Sequence, residues 1–240
     1  MPDSNLDVLT LFAARLQPAM VIGLAAGALS WLLGLARITG AVATIAVVSL
    51  GFLAAGTPFA AMLALGLLGA GAAARLASRV AAAPGAPSKL SARAAGAIAT
   101  VALICSLAAL GSPRAGGWLV SMSGALTAAL TTWIGLVVSA SSTGHRYLLH
   151  TLRPVSAPSR GLTAAGFLVG VGAALAIAVV AFAQHVLGPG DPALVLLAAI
   201  AATAVATAMS LGPTDALSRR AVLASVLGAG IAPALTMLLS

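Results

Sequence analysis

Long apolar runs, rather than amphipathic stripes, set the pattern of this chain. Stretches near the roughly 20 residues that a membrane-crossing helix requires number eight, at about residues 18–36, 38–56, 59–74, 94–112, 118–140, 161–183, 193–211 and 221–239. Apolar positions are continuous within each run, without the period-two alternation of a membrane barrel strand, so the expected fold is an all-α, polytopic membrane bundle. Residues 1–17 are expected to form a short lead-in to a single transmembrane domain at 18–240. There, Leu6, Val8, Leu9, Phe12, Ala13 and Leu16 recur at helical spacing before Pro18, which suits either a short interfacial helix or a frayed approach. Asp3 and Asp7 precede the first basic residue, Arg15, the reverse of a secretory signal, so no cleavage is expected.

The polar positions between the runs are uneven. Arg37 alone separates the first two spans and Thr57-Pro58 the next two, which makes these helices antiparallel neighbours joined by tight turns. Two connections are longer: residues 75–93, with Pro84, Gly85 and Pro87, and residues 141–160, which read SSTGHRYLLHTLRPVSAPSR. Loops of that size are where function concentrates in a compact membrane protein. Gly23 with Gly27, and Gly166 with Gly170, have the spacing that lets helices pack closely. Thr39-Gly40-Ala41 and Ser123-Gly124-Ala125 open two runs alike, a likeness that alanine-rich composition also explains.

Charge then orients the map. The 240 residues include 12 Lys and Arg but only 4 Asp and Glu, far below the roughly 25% charged share of soluble domains. With strict alternation of connections, one side receives Arg37; Arg75, Arg79, Lys89 and Arg93; Arg146, Arg153 and Arg160; and Arg219 and Arg220. The other receives Arg15 and Arg114. Cytoplasmic connections collect Lys and Arg, so both termini are expected outside the cytoplasm, and a bacterial inner membrane is the simplest home. A net charge of +8 distributed in this way, with 4% aromatic residues, argues against nucleic acid as a partner and for membrane lipids. The lone Cys105 rules out an internal disulfide framework.

Candidate chemistry is narrowed by subtraction. Glutamate is absent, and Asp3, Asp7, Asp191 and Asp215 all fall outside the interior of the spans, which disfavours ion coupling through a buried carboxylate. Neither a zinc set, nor a Ser-His-Asp triad, nor a phosphate-loop or dinucleotide fingerprint is present. What remains is the basic connection. His145, Arg146, His150, Arg153 and Arg160 precede Gly161, the expected start of a helix. Guanidinium forks and the free N–H groups of a helix start both suit an anionic headgroup, while attraction of the same residues to anionic lipid needs no specific site. Asp215, in Gly212-Pro213-Thr214-Asp215, falls on the same side and suits a helix cap, a partner for Arg219, or a metal ligand.

The stretch Thr151-Leu152-Arg153-Pro154-Val155, followed by Gly161-Leu162-Thr163-Ala164-Ala165-Gly166, resembles a segment of the integral-membrane family that includes plant phytyl-phosphate kinase. In that family a basic-Pro-Val segment leads through a Gly-rich turn into a helix. Leu35-Ala36-Arg37-Ile38-Thr39-Gly40-Ala41 is similar to the start of its second helix, and Thr214-Asp215 resembles the Asn-Asp pair before its last. The resemblance implies an isoprenoid phosphate as substrate, with Arg146, His150, Arg153, Arg160, Gly161 and Thr163 around it, Asp215 as a metal ligand, and Mg²⁺ with CTP or ATP if the protein is catalytic. A departure bears on that activity: where the family has Asp-Thr-Trp and a following acid, this chain reads Thr131-Thr132-Trp133 and then Leu136. The expected function is therefore binding or phosphorylation of a lipid phosphate at the cytoplasmic face. The alternatives are a non-catalytic binder or carrier, and a small-solute transporter or structural bundle.

Overall fold

The computed structural model describes residues 4–80, 88–110, 115–142, 144–149, 151, 154, 161–209 and 216–239. Among these, seven α-helices follow one another: α1 Ser4–Leu32, α2 Ile38–Val80, α3 Ala92–Leu110, α4 Ala115–Ser141, α5 Ala164–Ala183, α6 Asp191–Ala208 and α7 Ala216–Leu239. No strand occurs among the described residues, only isolated bridges. The fold is all-helical, as the continuous apolar runs require.

Seven helices against eight expected spans is a difference with a local cause. α2 covers both the second and third runs, but it is not one rod: Gly56 has φ 77° and ψ −164°, outside helical geometry. The chain folds back there. A Cβ on Gly51 would meet Leu63, and residues at the two ends of α2 lie at the same place: Gly71 packs on Leu35 and Arg75 on Gly34, while Gly40 packs on Ala36 and Leu90. Twelve residues along a straight helix span about 18 Å, so the Gly51–Leu63 contact requires a hairpin. Glycine suits the turn because positive φ is strained for residues bearing a Cβ. Pro58, two residues on, sits where the second arm starts and its missing N–H costs nothing.

The other end of α1 also differs from expectation. No separate interfacial helix precedes Pro18; α1 runs continuously from Ser4 with Pro18 inside it. Later boundaries shift as well: α5 begins at Ala164 rather than 161, and the described part of α6 ends at Ala208.

α4 is the axis of the bundle. It touches α2, α3, α5, α6 and α7, whereas α1 packs on α2 alone. Small residues set the spacing: Gly124 lies against the Gly228 carbonyl and Ala232 of α7, and Gly166 and Gly170 of α5 lie against Ser139, Gly135 and Thr131 of α4. Gly23 and Gly27 press on Ser49 and Ile45 of α2. Both glycine pairs flagged in the sequence thus serve packing within the chain. Several hydroxyls inside the bundle are satisfied on the preceding turn, as with Thr44 to the Gly40 carbonyl (2.9 Å) and Thr131 to the Thr127 carbonyl (2.8 Å), the arrangement a medium without water favours.

Large apolar side chains cover the outside. Leu32, Ile38, Leu76, Leu168, Val179, Leu197 and Met237 are all exposed, a surface that would aggregate in water and that matches hydrocarbon. All seven helices contain a stretch long and apolar enough to cross a membrane. The architecture fits an integral membrane protein.

Candidate functional site

The antiparallel order of the helices gathers the basic residues at one end. Chain reversal at Gly56 returns Arg75 and Arg79 to the level of Arg37. The 33–37 link is clamped there: the Leu90 N–H donates to the Leu35 carbonyl (2.9 Å) and the Arg37 N–H to the Leu90 carbonyl (3.0 Å), while the Arg75 guanidinium donates to the Leu33 carbonyl. α3 starts at this end, with Arg93 in its first turn. α4, reached through the short 111–114 connection and packed on α3, returns to it at Ser141.

Here the chain builds a closed neck. Tyr147 and Leu162 exchange backbone hydrogen bonds, each N–H to the other's carbonyl at 2.9 Å. That antiparallel pair sets Arg146 across from Thr163. Gly161 makes it possible: its φ is +74°, and a Cβ would come within 2.9 Å of the Tyr147 carbonyl oxygen. Thr163 then caps α5. Its Oγ1 accepts from the Gly166 N–H (3.1 Å) and from the Ser142 hydroxyl (3.0 Å), and its own N–H donates to Ser139 Oγ (2.9 Å).

Of the residues expected at the site, the structure brings together Arg146, Gly161 and Thr163. Arg146 is half-buried, and Gly161 and Thr163 are buried. His150, Arg153, Arg160 and Asp215 lie outside the described residues. The helix start that was to receive an oxyanion is Ala164, not Gly161, and Thr163 takes up one of its N–H groups. Ser139, near the end of α4, and Ser142, the residue just after it, were missed in the sequence and anchor the neck. Both lie at the polar close of an apolar run, which was the available signal. At the same end, Arg220 of α7 is buried and its guanidinium reaches the Met209 carbonyl closing α6 at 3.5 Å.

The positions that the resemblance assigns to acids are buried mid-helix. Thr131 spends its hydroxyl on Thr127, Thr132 shares a hydrogen bond of 2.9 Å with Thr203 of α6, and Trp133 and Leu136 are packed in the core. Mg²⁺ is held in phosphoryl-transfer sites through one or two carboxylates plus waters and substrate oxygens. These residues do not fit it. No group of three His, Cys, Asp or Glu capable of holding a metal occurs among the described residues.

The opposite end carries a cavity of about 590 Å³ bordered by Gly116, Gly117, Gly188, Asp191, Thr236 and Met237. Asp191 Oδ2 accepts the Gly188 N–H at 2.8 Å, tying down the loop that precedes α6. No family model, curated protein or solved structure matches the chain.

Proposed function

We propose that this integral membrane protein binds a phosphate-bearing isoprenoid lipid at its basic end, on the cytoplasmic face of a bacterial inner membrane, without transferring a phosphoryl group to it. The observation that supports binding is the neck itself: the Tyr147–Leu162 pair and the Thr163 cap hold Arg146 at the rim of the bundle, where a guanidinium meets a phosphate while the isoprenoid tail stays in hydrocarbon. The isoprenoid class comes from the resemblance to the phytyl-phosphate kinase family. Binding is favoured over catalysis because, where that family places acids, this chain has Thr131, whose hydroxyl is engaged within α4, and the buried Leu136, which leaves the transition-state charge without its usual metal.

The test is binding of radiolabelled farnesyl or phytyl monophosphate to the protein in nanodiscs, with and without Mg²⁺ and with CTP or ATP added. Saturable, Mg²⁺-independent binding without turnover is expected, and Arg146→Ala should weaken it about tenfold while Arg79→Ala leaves it nearly unchanged. Mg²⁺-dependent turnover would make the protein a kinase. Absence of saturable binding, or equal effects of the two substitutions, would refute the site.

A further inference from the structure

A second feature of the basic end lies apart from the Arg146 neck. α1 and the first arm of α2 diverge on their outer side to leave a groove of about 310 Å³, lined by Leu24, Ala28, Trp31, Ile38, Val42 and Ile45. Because α1 packs on α2 alone, this groove opens outward from the bundle. Leu24, Trp31, Ile38 and Val42 are exposed along it, and Trp31 is the next-to-last residue of α1, the end of a helix being where indole rings favour the membrane–water boundary.

Cations cluster where the groove meets the 33–37 link. Arg37 is exposed within the link, and Arg75 is fixed against the Leu33 carbonyl. Lys89, also exposed, is brought alongside by the hydrogen bonds of Leu90 to Leu35 and Arg37. Asp7 lies near the far end of α1, and Asp191 begins α6, whose start borders the cavity at the opposite end of the bundle; no other acid falls among the described residues. An apolar trough ending in positive charge, with no acid beside it among the described residues, is complementary to a molecule with a hydrocarbon tail and an anionic head. We infer that the α1–α2 groove seats an acyl chain of an anionic phospholipid whose phosphate is held by Arg37, Arg75 and Lys89. This site is separate from the one proposed above and does not depend on it.

Trp31 supplies the readout, since bromine atoms on an acyl chain quench indole fluorescence on contact. The full-length protein is placed in phosphatidylcholine nanodiscs containing a minority of dibrominated phosphatidylglycerol or, in parallel, dibrominated phosphatidylcholine. A Trp31→Phe variant subtracts the emission of Trp118 and Trp133. Quenching of Trp31 should favour phosphatidylglycerol by about fivefold. The Arg37→Gln/Lys89→Gln double variant should abolish that preference, whereas the charge-matched Arg79→Gln/Arg219→Gln pair should retain it. Ala28→Phe, on an exposed position, fills the groove and should abolish the preference with every cation in place. Equal quenching by the two lipids would overturn the inference, as would a preference that survives either Arg37→Gln/Lys89→Gln or Ala28→Phe. Equal losses in the two charge-matched pairs would overturn it in favour of diffuse surface attraction.

Discussion

Single glycines divide sharply by what a methyl group would meet. At Gly228 an added Cβ would overlap the Gly124 carbonyl oxygen, so α4 and α7 would have to separate. At Gly172, exposed on α5, nothing lies within 4 Å. Gly228→Ala should therefore cost about 1–3 kcal/mol, and Gly172→Ala should be neutral or stabilising by up to about 1 kcal/mol, as measured by unfolding in micelles of rising dodecyl sulfate content. Gly161 combines both penalties, a positive φ and a backbone oxygen in the way of a Cβ. Gly161→Ala is expected to cost about 1–3 kcal/mol and to open the Tyr147–Leu162 pair, read as faster protease cleavage within residues 143–160. None of these contrasts was legible in the sequence. Glycine spacing marked Gly23, Gly27, Gly166 and Gly170 as packing positions, but the Gly124–Gly228 approach joins residues far apart in the chain.

Individual helices were legible where apolar length decides the matter and less so where one backbone angle does. Thr57-Pro58 announced a turn, and the chain reverses beside it at Gly56, whose φ of 77° and ψ of −164° divide α2 into two arms. Pro18 was read as a boundary because proline removes a helical N–H, but α1 passes through it. For α5 the apolar run suggested a start at 161, and the cap decided otherwise: Thr163 binds the Gly166 N–H, so regular helix begins at Ala164. Thr163→Ala should cost about 1 kcal/mol and lower the melting temperature of the purified protein, while Thr163→Ser, which keeps the accepting oxygen, should restore most of it.

For the whole molecule, the distribution of charge carried the most information. Alternation of eight runs placed ten of the 12 basic residues on one side, and the described members of that set do gather at one end of the bundle, around the 33–37 link, the α5 cap and the start of α7. The site was only partly legible. Positive charge and a long connection pointed to residues 141–160, but the hydroxyls of Ser139, Ser142 and Thr163 that brace it bear no charge and join segments more than twenty residues apart. The central claim is that α2 crosses the membrane twice, so that one face carries the basic residues. Its most direct measurement uses single cysteines at Arg37, Thr57, Arg79, Gly144 and Gly188 in a Cys105→Ala background, labelled in sealed inverted and right-side-out vesicles with a membrane-impermeant maleimide. The account predicts that positions 37, 79 and 144 label from the cytoplasmic face and positions 57 and 188 from the opposite one. Labelling of 37 and 79 from different faces would make α2 a single crossing and contradict it.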